Sequence, residues 1–170
     1  MKSNSAKFLS LMACVPLLII SCGKTPNSLE QKNDKPASDA LVKSDPALAL
    51  VERFNMGANL EKMANQVAMN TNTYAMVVQK HGQDNAKKIV ASEIKKLLPL
   101  YQPKWNMNLA KAFANNLSKE ELTSLVNDVG NSPYFDKLKQ VQSAVGEEMQ
   151  RNSTPILTEL LTEAMKRAIQ

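Results

Sequence analysis

SKEELTSLVNDVGNSP, residues 118–133, opens on a serine three positions ahead of Glu121. The serine hydroxyl can accept from the residue 121 amide while the Glu121 carboxylate reaches back to the serine amide, a capping box that starts a helix. Leu122, Leu125, Val126 and Val129 then recur at intervals of three and four, one face of a helical period, and Gly130-Asn131 ends the run. Ser132-Pro133 begins another helix with a cap residue and a proline, whose missing N–H costs nothing in a first turn.

The same grammar extends in both directions. Asp45-Pro46 is a cap and first-turn pair leading into Leu48, Val51 and Phe54, and Gly57 interrupts. Leu60, Met63, Val67, Tyr74 and Val77 form one helical face with a gap at Asn70, ending at Lys80-His81-Gly82, cations followed by a glycine. Asn70 to Thr73 are weak helix formers, which predicts a bend or break there. A third helix starts near Asp84 and shows Ile89, Val90, Ile94, Leu97 and Leu98. Pro99 and Pro103 push the residue before each out of helical dihedrals and bracket a short connection. Trp105, Leu109, Ala112, Phe113 and Leu117 make the fourth. Thr154-Pro155 repeats the cap-plus-proline device, dividing Leu138, Val141, Val145 and Met149 from Ile156, Leu157, Leu160, Leu161, Ala164 and Met165. Nothing alternates at period two for long enough to make a strand. Residues 45–170 are expected to be an all-α domain, a bundle of about six to seven helices with sequential helices as antiparallel neighbours.

The N-terminal part is different. Lys2 and Lys7 precede 13 residues, 8–20, that are apolar apart from Ser10, whereas a membrane-spanning helix needs roughly 20. A basic start, a short apolar middle and a small residue before the cut form a signal peptide, residues 1–21. Ile19-Ile20-Ser21-Cys22 resembles the lipobox of bacterial lipoproteins. That resemblance implies that Cys22 becomes the mature N-terminus, with a diacylglyceride on its sulfur and a fatty acyl group on its amine. Two chains suffice for stable anchoring, so three hold a protein to a membrane essentially permanently. Gly23 stands where an aspartate would favour the inner membrane, so the resemblance implies an outer-membrane anchor facing the periplasm, ahead of the inner membrane or the cell surface. Cys14 leaves with the signal, and no disulfide or thiolate metal site is expected in the mature chain. Residues 22–44, the lipidated cysteine and a polar stretch with only Leu29, Leu41 and Val42 large and apolar, are expected to form a disordered tether reaching of order 25 Å.

Removing Lys2 and Lys7 leaves 21 − 2 = 19 basic residues against 16 acidic, so net charge demands no nucleic acid partner. The unevenness is local: Lys87, Lys88, Lys95, Lys96, Lys104, Lys111 and Lys119 are opposed before Glu120 only by Glu93. Lys88, Ser92, Lys95 and Lys96 fall on the helix face away from Val90, Ile94 and Leu97. Such a face is either a solvated surface or a contact for anionic lipid headgroups, lipopolysaccharide, wall polymer or an acidic protein, and Lys87, Lys88, Lys95 and Lys96 are the candidate partner-binding residues. Base-stacking aromatics are nearly absent there, which argues against nucleic acid. Met56, Met63, Met69 and Met76 recur at spacings of seven, six and seven, suited to core filling or to lining a partner groove.

Catalysis has little to draw on. His81 is the sole histidine and lies at a helix end; Glu120-Glu121 occupy a first turn, where anions belong; Glu147-Glu148 sit beside inward-facing Val145 and Met149. No cofactor or metal is expected. Trp105 to Leu109, Leu117 to Leu122 and Ser132-Pro133 resemble the bacterial domain-of-unknown-function family numbered 2059, through Ser118, Glu120, Glu121, Leu122, Ser132, Pro133 and Lys137. Val129, Gly130 and Phe135 depart from its pattern, which has Phe-Tyr and a glycine there. The resemblance implies an exported helical domain and supplies no catalytic residues. The expected function is a membrane-anchored, non-enzymatic binding or structural module of the envelope, in a more specific version an immunity or inhibitor protein that binds a periplasmic effector. The alternative is an enzyme acting on cell-wall or lipid substrates through Glu120, Glu121 or His81, which requires those groups to converge in a cleft with a raised carboxyl pKa.

Overall fold

The computed structural model describes residues 45–170; the expected signal peptide, Cys22 and the expected tether lie outside the described residues. Six α-helices follow in order: α1 Pro46–Arg53, α2 Asn59–Ala68, α3 Asn72–His81, α4 Gln83–Asn116, α5 Lys119–Asn127 and α6 Phe135–Ile169, with a 3₁₀ turn at Met56–Ala58. No strand occurs among the described residues, and the domain is an all-α bundle.

The short helices begin and end where their caps dictate. Asp45 accepts from the Ala47 and Leu48 amides at 3.0 and 3.2 Å, with Pro46 in the first turn. Ser118 accepts from the Glu121 amide at 3.3 Å and Glu121 accepts from the Ser118 amide at 2.8 Å, completing the capping box. The expected weakness at Asn70–Thr73 is a full break, so the single face from Leu60 to Val77 belongs to two helices. Thr71 accepts from the Tyr74 amide at 3.1 Å as the new N-cap, and Asn70 folds back to donate to the Gln66 carbonyl at 2.7 Å. Gly82 joins α3 to α4 at φ 76°, a conformation that L side chains rarely adopt.

The expected breaks at prolines are corrected. Pro99 and Pro103 lie inside α4, and Pro155 lies inside α6; neither the connection at 99–103 nor a new helix at Thr154-Pro155 exists. All three rings are exposed. The carbonyls of Lys95, Pro99 and Arg151, which lose their i+4 donors, therefore belong to the outward side of each helix, where water can replace them. The inward side keeps its period without a slip: Val90, Ile94, Leu97, Trp105, Leu109, Ala112 and Phe113 are all buried. Beside Pro155, the Thr154 hydroxyl donates to the Gln150 carbonyl. Ser132-Pro133 is likewise not a helix start, because α6 begins at Phe135. Ser132 instead accepts from the Tyr134 amide at 3.2 Å and lies 2.9 Å from the Ser124 hydroxyl, tying the turn to α5.

The long pair α4 and α6 forms the spine. Asn108 donates to the Asn152 carbonyl and the Ser153 hydroxyl at 3.0 and 3.1 Å, and Asn116 donates to Glu148 at 3.0 Å. Rising numbers on one helix meet falling numbers on the other, so the two are antiparallel. They are not successive in the chain, unlike the expected pairing of sequential neighbours; α1, α2 and α3 pack on α4, and α5 packs on α1. Gly57 in the 3₁₀ turn meets α4 closely, since an added Cβ would come within 1.9 Å of Asn106 Oδ1. Gln102 donates to the Gly57 carbonyl at 2.9 Å and Trp105 Nε1 donates to Asn59 at 3.2 Å, fixing the entry to α2 against the middle of α4.

Candidate functional site

Because α4 is one helix, a single period places its outward lysines: Lys88 and Lys95 on one side of its exposed surface, and Lys96, Lys104 and Lys111 on the other. Val90, Ile94 and Leu97 are buried while Lys88, Ser92, Lys95 and Lys96 are exposed, as the helical period requires; Lys87, seven residues from Ile94 and so on its side of the helix, is exposed near the start of α4. Lys104 and Lys111 continue the exposed side beyond the prolines. Lys96 pairs with Glu93 at 2.6 Å. Among the described residues, Lys87, Lys88, Lys95, Lys104 and Lys111 form no ion pair. Like charges along one helix with no ion-pair partner among the described residues repel one another and attract anions.

Two apolar residues of the same helix join the exposed surface. Leu100 is 68% exposed and Met107 is 63% exposed, the highest values among the large hydrophobic side chains described. Seven residues is close to two helical turns, so they lie on the same side. Leu100 sits in the segment read as a connection, and Met107 lies outside the buried face of the helix read after it. Only continuity through Pro99 and Pro103 makes them neighbours.

The carboxylates serve local structure. Lys137 on α6 donates to both Glu121 oxygens at 2.7 and 2.8 Å; that contact, followed by the Ser118 amide, holds the Glu121 carboxyl below the ordinary glutamate range. A hydrogen bond from its own backbone amide, then one from Ser118, lowers Glu120 as well. Asn131 side-chain and backbone donors lower Asp128. Glu148 accepts from Asn115 at 2.8 Å and from Asn116, while Glu147 is exposed. A shallow cleft of about 730 Å³ is lined by Glu120, Ser124, Asp128 and Ser132 among others, and His81 is not among its lining residues. No three His, Cys, Asp or Glu side chains gather to hold a metal among the described residues. No described helix is long and apolar enough to cross a membrane.

The methionines divide at the α2–α3 break. Met56 and Met63 pack against the core, whereas Met69 and Met76 are exposed, so the four do not form one side of one helix. A second groove of about 480 Å³, lined by Thr71, Thr73, Leu161, Thr162 and Met165 with other residues of α6, runs between α3 and α6. Lys80 beside it donates to the Ile169 and Gln170 carbonyls at the end of α6, where a cation complements the helix dipole. Ser118, Glu121, Ser132 and Lys137, which carry the family resemblance, form a clasp between α5 and the start of α6. Searches against family models, curated proteins and solved structures gave no match to the chain.

Proposed function

We propose that this chain is a lipid-anchored envelope protein, held at Cys22 and acting as a non-enzymatic binding or structural module, with the outer face of α4 turned to an anionic partner. The observation that carries the binding half is the run of exposed lysines on one unbroken helix, Lys87, Lys88, Lys95, Lys104 and Lys111, none of them in an ion pair among the described residues. The anchoring half rests on Ile19-Ile20-Ser21-Cys22. With residues 22–44 as a tether of order 25 Å, the domain stays close enough to the lipid for a long basic helix to reach anionic groups there.

The enzymatic alternative is disfavoured by its own requirement. It needs a carboxyl with a raised pKa beside a second catalytic group, and Glu120 and Glu121 are both lowered, the latter by the Lys137 contact. Substituting Lys88→Glu, Lys95→Glu and Lys96→Glu together is expected to abolish salt-sensitive association with envelope fractions while circular dichroism keeps its helical signal. Unchanged association would remove the binding half. Intact mass of the membrane-extracted chain tests the other: an unmodified N-terminus removes the anchor.

A further inference from the structure

The stripe that holds Leu100 and Met107 alternates cations with apolar groups. Lys96 stands four residues before Leu100 and Lys104 four after; Lys111 follows Met107 by four, and Pro103 precedes it by four. At helical period these residues lie on one surface, Lys96, Leu100, Pro103, Lys104, Met107 and Lys111, about 22 Å long. A single exposed leucine is ordinary. Leu100 and Met107, the most exposed large hydrophobics described, bracketed by lysines at one-turn spacing, make an amphipathic outer face on a helix whose inner face is already buried in the core.

We propose that this face lies on an anionic bilayer, with Leu100 and Met107 entering the headgroup region and Lys96, Lys104 and Lys111 set against lipid phosphates. The proposal rests on the lipid-anchored reading and names the partner of one side of that outer surface, the side that carries Lys96, Lys104 and Lys111. Lysine stems extend along apolar surface while their ammonium groups reach for phosphate, the arrangement of helices that lie in a membrane interface. A protein partner fits less well. Protein interfaces favour arginine and aromatic anchors and are depleted in lysine, and none of the stripe's residues is an arginine or an aromatic. The face is also the convex outside of a helix, and none of its residues lines either of the two clefts described above. Insertion stays shallow, because the Lys95 and Pro99 carbonyls, deprived of their i+4 donors, need water that the hydrocarbon core does not hold.

The acylated chain, reconstituted in phosphatidylethanolamine–phosphatidylglycerol vesicles, tests this with a nitroxide at Leu100→Cys, at Met107→Cys, or at Glu159→Cys on the exposed side of α6. Positions 100 and 107 are expected to gain contact with membrane-dissolved oxygen and to lose contact with an aqueous nickel chelate relative to 159. The difference disappears in phosphatidylcholine vesicles and in the Lys96→Glu, Lys104→Glu, Lys111→Glu variant. Equal water access at all three positions in an acylated chain overturns the proposal and leaves the anchor standing, as does protection of position 100 that appears only when envelope proteins are added. If intact mass shows no acyl groups, the lipid-anchored reading fails by itself. Sedimentation of the Cys22→Ala chain with the same vesicles then still tests the face: the triple reversal is expected to weaken binding about a hundredfold, and unchanged binding overturns it.

Discussion

Residues 59–81 and residues 83–116 each contain a sequence that reads as helix interrupted by unfavourable residues, yet the first breaks and the second does not. Between α2 and α3 there is neither proline nor glycine. The chain turns there because Thr71 offers the next helix a cap and Asn70 satisfies a carbonyl of the last, so stopping leaves few groups unmet. Within α4 two prolines remove two amide donors, and the helix continues. Trp105, Leu109, Ala112 and Phe113 stay buried in the same phase as Val90, Ile94 and Leu97, and a break would remove one set from the core. Local chemistry decides where a helix can stop; burial on both sides decides whether it does.

Trp105→Ala should produce the largest effect. It opens a cavity beside the proline-bearing segment and removes the donor to Asn59, and a loss of about 3–5 kcal/mol is expected in chemical denaturation. A loss below about 1 kcal/mol would mean that burial does not hold the two halves of α4 together. Pro103→Ala sharpens the contrast from the other side. Restoring an N–H in an exposed helix interior should stabilise the domain by about 1–2 kcal/mol, after allowance for the freer unfolded chain. Pro46→Ala, in a first turn and buried, should give no such gain.

Thr71→Ala removes the cap on which the short helices depend and is expected to cost about 1 kcal/mol, read as a lower melting temperature. Ser92→Ala, in the exposed interior of α4, should change little. The smallest effect belongs to pH. Glu120, Glu121 and Asp128 have folded pKa values below their unfolded ones, so their contribution is complete above the ordinary carboxylate range, roughly pH 4, and fades as pH falls through the depressed values. The melting-temperature gap between the wild type and Glu121→Gln should therefore close in acid; a gap that widens there contradicts the assigned role of Lys137.

Much of this fold was legible from local rules. Asp45-Pro46, the Ser118–Glu121 box and Gly82 each stand where a helix boundary occurs, because caps are short-range hydrogen bonds that a few residues determine. Proline was misleading at 99, 103 and 155, where its cost is local but the compensation comes from α4 packing along α6, a pairing between segments separated by α5. The same misreading hid part of the candidate site. Lys87, Lys88, Lys95 and Lys96 read as a basic surface from the sequence, but a connection at Pro99–Pro103 would separate Leu100 from Met107 and hide their alignment. One signal was available: the buried positions on either side of Pro99 and Pro103 keep a common helical phase, which two independent helices have no reason to share.

Pulsed electron-spin distance measurement between labels at Lys88→Cys and Lys111→Cys, in a chain also carrying Cys14→Ser and Cys22→Ser, addresses the continuity of α4 most directly. Twenty-three residues of unbroken helix place the two backbones about 35 Å apart, and one narrow distribution near that value is expected. A clearly shorter distance, or two populations, would mean that the chain turns at Pro99 and Pro103 and that the Lys96–Lys111 face does not exist as one surface.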